Sequence, residues 1–241
     1  MKLWVAAALL AATPAFAASD CILDNCADQR PAASSRASAP DDAGRFRPRG
    51  TAPSGDFDYY LLALSWSPSF CANGGAERSR RQCAPGANPG FVVHGLWQQY
   101  ARGAAPPCDG GGLPSGVLAG LGDLYPDEGL ARHEWRAHGA CSGKSPSGYF
   151  ADVRAARDAV TIPPELKDVR QSLTLAPLDV QRAFVAANPR LRPGMMAVTC
   201  PRGALAEVRI CLSKDLRDFV ACPEVVRRGC FSQSVVVPAG R

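Results

Sequence analysis

From Phe57 to Trp66 aromatic and aliphatic residues follow one another almost without interruption, the pattern of a core strand, and a folded domain is expected to begin near Asp56. Phe91-Val92-Val93 predicts a second short strand that ends on His94 and is released by Gly95. The segment ARHEWRAHGAC consists of good helix formers as far as His138, with Gly139 placed to end the helix. Tyr149, Phe150, Val153, Ala156 and Val160 recur at roughly helical spacing, with Ser147 placed to cap the start. Leu178 to Ala187 reads as a further helix, bounded by Pro177 and Pro189. Met195 to Thr199, Leu205 to Leu212 and Ser234 to Val237 read as strands, the middle one interleaving apolar and charged residues. No internal repeat is visible, and the order lacks regular βα alternation. The pattern therefore predicts an α+β fold, one mainly antiparallel sheet packed with several helices.

Composition narrows the class. The 241 residues are 46% hydrophobic and 20% charged, a balance that folds, and the 23 glycines and 21 prolines weigh against a helical bundle. Ten cysteines, an even number, are too many for a reduced cytosolic chain of this size and predict a disulfide-stabilised domain. The N-terminus agrees. Lys2, the apolar run Leu3 to Ala12 and Ala15-Phe16-Ala17 read as a signal peptide over residues 1–17, cleaved after Ala17. That run is too short to span a bilayer, and no other stretch approaches ~18 uncharged apolar residues. A periplasmic or secreted protein with no membrane partner is expected. Asp20 before Cys21 argues against a lipid anchor there.

Residues 18–55 read as a linker, because 18 of the 29 residues from Ala27 to Gly55 are Ala, Ser, Pro or Gly and no apolar face recurs. Cys21 and Cys26 are read as closing a small loop at its head. Residues 56–241 then form one domain, expected to act as a monomer. The net charge of +5, lowered by one when Lys2 is removed, is too modest to imply coating of duplex DNA but suits a polyanion held in a local groove.

All three histidines lie in two short segments, Phe91 to Tyr100 and His133 to Cys141. His94 closes a strand at a rigid rim, and Trp97 beside it offers a flat face on which a nucleobase could stack. On a helix at about 100° per residue, Glu134 and His138 share a face while His133 lies about 140° from His138. The zinc-protease motif HExxH needs its histidines four apart, and these are five apart, so no metal is expected. A Cys-His hydrolase is equally disfavoured, since the cysteines are explained as bridges. What remains is a pair of imidazoles, His94 and His138, with a carboxylate, Glu134, and an aromatic platform, Trp97. Two groups of ordinary pKa ~6.5 can serve as one acid and one base near neutrality. That chemistry suits metal-free cleavage of RNA, in which the ribose 2′-hydroxyl attacks the adjacent phosphorus; DNA lacks this nucleophile.

The two segments resemble the paired active-site motifs, HGLWP and HEWxKHGxC, of the secreted acid ribonucleases of the T-two type found in fungi, plants and bacteria. The likeness rests on HGLW at His94 to Trp97, HEW at His133 to Trp135 and HGAC at His138 to Cys141. The stretch LLALSWSPSFC, ending at Cys71, and the four-cysteine C-terminal region extend it over about Asp56 to Val237. The resemblance implies an α+β fold, no cofactor or metal, and RNA as partner with little base specificity. It implies His94 as acid, His138 as base, Glu134 assisting at the phosphate, His133 helping to hold it and Trp97 stacking on a base. It also implies the pairs Cys108–Cys141, Cys200–Cys230 and Cys211–Cys222, which leaves Cys71–Cys83 and Cys21–Cys26.

Two positions depart from the family pattern. Gln98 stands where the first motif has proline, and Ala137 stands where the second has lysine, so the cation that would stabilise a phosphorane is missing. Arg136 projects about 200° from both Glu134 and His138 on a helix, and Lys144 follows Cys141 in a loop. The expected function is an endoribonuclease that leaves 2′,3′-cyclic phosphate ends. The alternative is a ribonuclease-fold RNA-binding protein in which loss of the lysine has largely ended catalysis.

Overall fold

The computed structural model describes residues 55–87, 89–101, 108 and 110–240. The expected signal peptide, the linker as far as residue 54 and the Cys21–Cys26 loop lie outside them. Six strands are present among the described residues: β1 (Tyr59–Trp66), β2 (Phe91–Gln99), β3 (Leu173–Leu175), β4 (Met196–Thr199), β5 (Glu207–Ser213) and β6 (Val235–Val237). Four of them form an antiparallel sheet in the order β2-β1-β5-β4, and β3 pairs with β6 in a separate two-stranded ribbon.

Every residue of β1 is buried because both faces of the sheet are covered. Leu62, Leu64, Val93, Leu96, Val208 and Ile210 face a large core that also takes Trp135, Tyr149, Phe150, Val153 and Phe184. The intervening residues Tyr59, Leu61, Ala197 and Cys211 build a smaller cluster with Cys222 and Val225, against which Trp97 packs. A strand covered on two sides has no polar face to show, and so reads as an apolar run.

Three longer helices supply part of the remaining core: α1 (Glu128–Ala137), α2 (Pro146–Asp158) and α3 (Pro177–Ala187). Helix α1 starts on Asp127, whose carboxylate accepts the Gly129 N–H at 2.7 Å. Ala131 and Trp135, four apart, turn its apolar face to the core. Helix α2 is capped by Ser145, which accepts the Gly148 N–H, and not by Ser147, which lies in its first turn. Pro146 explains the shift: at the first helical position proline gives up no needed N–H and its φ is already helical.

Two further expectations are corrected. Strand β2 does not stop at Gly95 but runs on to Gln99, because β1 offers it a backbone partner at each step as far as Tyr59. The register passes from Ala63↔Gly95 to Leu64↔Val93, making His94 the extra residue of a β-bulge. Helix α1 ends at Ala137, and His138 lies beyond it with φ −136° and ψ −59°. The four disulfides among the described residues are Cys71–Cys83, Cys108–Cys141, Cys200–Cys230 and Cys211–Cys222, the pairs that the resemblance implies or leaves.

Candidate active site

The bulge in β2 turns His94 toward a buried carboxylate. Nδ1 of His94 lies 2.5 Å from Oε1 of Glu207, and only 8% of His94 and 4% of Glu207 are exposed. Two residues further along β5, Arg209 leaves the strand on the same side and donates from Nε to Glu207 Oε2 at 2.8 Å. Burial alone would push the Glu207 carboxyl up; His94 and Arg209 outweigh it and hold the group at about 2. A carboxylate fixed at Nδ1 sets the orientation of the imidazole and directs Nε2 toward the Glu134 side of the site.

Trp97 is the hub of the remaining groups. Its indole Nε1 donates to Glu134 Oε2 at 2.8 Å, joining β2 to α1, and Glu134 Oε1 lies 4.0 Å from His94 Nε2. The Trp97 ring meets the His94 ring edge-on at 5.1 Å between centroids, and the His138 ring at 5.5 Å with a 35° tilt. The Arg209 guanidinium carbon lies 5.6 Å from the same ring. Gly95 makes this convergence possible. A Cβ there would fall 1.9 Å from Glu134 Oε2 and 2.3 Å from Trp97 Nε1, so any side chain would displace the Trp97–Glu134 hydrogen bond.

His138 is held by its backbone. Its N–H donates to the Glu134 carbonyl at 3.0 Å, and its own carbonyl accepts the Cys141 N–H at 3.0 Å. The Cys108–Cys141 bridge and a Gly110 N–H to the Arg136 carbonyl, 3.1 Å, tie a second segment to the same turn. Gly139 lets that turn press inward, since a Cβ would sit 2.6 Å from the rings of both Trp135 and Tyr149. Because His138 has left the helix, the helical separation of about 140° from His133 does not apply. The two rings lie 6.5 Å apart. A nitrogen of each, with a carboxylate oxygen of Glu134, falls within 4.8 Å of the others, a spacing that proton transfer and cation chelation can both use. The five-residue interval in sequence therefore does not separate the two histidines in space.

All five residues picked out by sequence, His94, Trp97, His133, Glu134 and His138, thus converge. Glu207, Arg209 and the steric role of Gly95 were missed. Glu207 and Arg209 alternate with Val208 and Ile210 in a central strand, and two charges at alternate positions of such a strand are the signal that was available. Lys144, one of the two cations considered for the place of the missing lysine, lies 2.5 Å from Asp152 Oδ2. Arg136 is exposed in the last turn of α1.

A bulge-mounted histidine and a helix-end histidine therefore meet around one tryptophan beside an antiparallel sheet, and comparison with known proteins agrees with that architecture. The chain belongs to the Ribonuclease T2 family, which residues 57–222 match. A ribonuclease of Aeromonas hydrophila is 36% identical over 179 residues, covering 72% of this chain and 80% of its own. Ribonuclease I of Escherichia coli is 30% identical over 140 residues, 41% of this chain and 52% of its own. Among solved structures, the RNase-related protein from Calystegia sepium superposes with a TM-score of 0.62 at 21% identity, covering 77% of this chain and 98% of its own. The structure of RNase NT in complex with 5′-AMP gives 0.54 at 20% identity, covering 76% and 99%.

The Glu207 pair has a measurable acid signature. Its folded pKa lies below the ordinary carboxyl value, so its stabilising contribution is complete above about pH 4.5 and is lost as pH falls through about 2. Denaturant unfolding between about pH 5 and about pH 2 should show the wild type losing on the order of 3 kcal/mol more than Glu207→Gln. Parallel pH dependences in the two proteins would contradict a charged Glu207.

Proposed function

We propose that this protein is an endoribonuclease that cleaves RNA without a metal, by transphosphorylation to 2′,3′-cyclic phosphate ends, with little base specificity. The observation that carries the reading is the placing of two separately anchored imidazoles, His94 and His138, 5.1 Å and 5.5 Å from one tryptophan ring. His138 takes the proton of the ribose 2′-hydroxyl, whose oxygen attacks the adjacent phosphorus. His94, held at Nδ1 by Glu207, gives the Nε2 proton to the departing 5′-oxygen, and the P–O5′ bond breaks. Glu134 and His133 flank the phosphate, and a base stacks on the part of Trp97 left open beside His138 and Arg209. The even cysteine count, the bridges and the N-terminal pattern support a periplasmic or secreted site of action, with the chain acting as a monomer. Among the described residues no helix is long and apolar enough to cross a membrane.

Incubation of the protein with total RNA in excess EDTA tests the reading: degradation to cyclic-phosphate ends is expected to persist. Loss of cleavage in EDTA would assign the His133, Glu134 and His138 cluster to a cation, and binding without degradation would favour a ribonuclease fold that has given up catalysis. Folded His94→Ala and His138→Ala variants should each lose ~10²–10⁴ in turnover, with His133→Ala losing less. Near wild-type cleavage by either of the first two would overturn the acid–base assignment.

Gly95→Ala removes no chemical group, yet should lower turnover by at least about ten-fold by pushing Glu134 off the Trp97 indole. Turnover kinetics beside the thermal midpoint check this, and unchanged turnover in a folded variant would show that Glu134 need not be held there.

A further inference from the structure

The place proposed for a phosphodiester lies beside the buried Glu134, with the buried Glu207 behind His94, and a bound phosphate calls for a cation within reach. The need is greatest in the transition state, when further negative charge gathers on the phosphate oxygens. Position 137 offers only a methyl group, Arg136 points away from Glu134 on a regular helix, and Lys144 is engaged by Asp152.

Arg209 is placed differently. Its Nε and Nη2 both approach Glu207 Oε2 at 2.8 Å, which spends one edge of the guanidinium. Five N–H groups lie in that plane, and Nη1 makes no hydrogen bond among the described residues. The side chain is 29% exposed, so a ligand can reach it from solvent. Its carbon lies 5.6 Å from the Trp97 ring, which the rings of His94 and His138 also approach. The register explains the reach: Ala63 of β1 pairs with Gly95 on one side and Arg209 on the other, so nothing taller than a methyl separates them. A guanidinium oriented in advance by a buried carboxylate and an aromatic ring, with one edge open, suits the oxygens of a phosphate.

We propose that Arg209 is the cation of this site, its open edge donating to a non-bridging oxygen of the phosphodiester under attack and supplying the charge missing at residue 137. The assignment rests on the ribonuclease reading above. Glu207 then serves two groups at once, orienting His94 with one oxygen and Arg209 with the other.

The test measures RNA cleavage and the binding of uridine 3′-monophosphate by the full chain. Arg209→Gln should lower kcat/KM by about 10²-fold and weaken the nucleotide by about ten-fold or more. Uridine, which carries no phosphate, is the control: Arg209→Gln should weaken uridine 3′-monophosphate at least about five-fold more than it weakens uridine. If Arg209→Gln weakens uridine and uridine 3′-monophosphate equally, Arg209 only steadies its neighbours and the proposal is overturned, as it is by unchanged nucleotide affinity in a folded variant. Ala137→Lys decides independently, should Arg209→Gln fail to fold. With Arg209 already at the phosphate it should raise turnover less than about three-fold, whereas a gain of about ten-fold or more would show that the site lacks a cation. A wild type that neither cleaves RNA nor binds the nucleotide would overturn the ribonuclease reading itself, and the role of Arg209 with it. With a wild type that does both, the variants test Arg209 alone.

Discussion

A charged carboxylate almost without solvent is costly unless opposite charges or hydrogen-bond donors meet its oxygens. Glu207 meets that condition with His94 on one oxygen and Arg209 on the other. The same condition fixes the candidate-site side of the sheet. The bulge in β2 must turn His94 inward, β5 must place two charged residues on one face, and β1 between them must stay small at Ala63. Replacing Glu207 takes the shared partner from both His94 and Arg209, so the three residues form one unit.

The second constraint is the distance between sheet and helix. Glu134 on α1 and Trp97 on β2 form a hydrogen bond of 2.8 Å across space that any side chain at position 95 would fill. The glycine in the strand is needed for the close approach of two other side chains and not for backbone freedom. Backbone bonds and a disulfide hold the end of α1, so that the histidine just past the helix takes its place from a turn rather than from helical periodicity.

The groups with distinctive chemistry were legible in the sequence, because three histidines confined to two short segments leave few ways to arrange them. The α+β class and the principal strands were legible for a similar reason, since β1 and β5 carry strong local patterns. Other features depended on contacts distant along the chain. Whether His138 continues the helix or leaves it is decided by the packing of Gly139 against Trp135 and Tyr149, and the periodicity of the segment holds no trace of this. Glu207 and Arg209 look like the solvent face of a strand until the register shows them opposite the bulge. Strand β3, three residues long, is too short to display a period and exists by virtue of its pairing with β6.

The Cys108–Cys141 bridge joins positions 33 residues apart, and its second cysteine lies three residues beyond His138. Closing a loop of that length removes many arrangements from the unfolded chain. Here the closure also brings Gly110 against the last turn of α1. The imidazole beyond that turn is therefore set in place by an event that depends on the surrounding thiol–disulfide balance. In a reducing compartment the same amino acids are present without this covalent brace, so for this protein oxidation is a step of assembly as much as a source of durability.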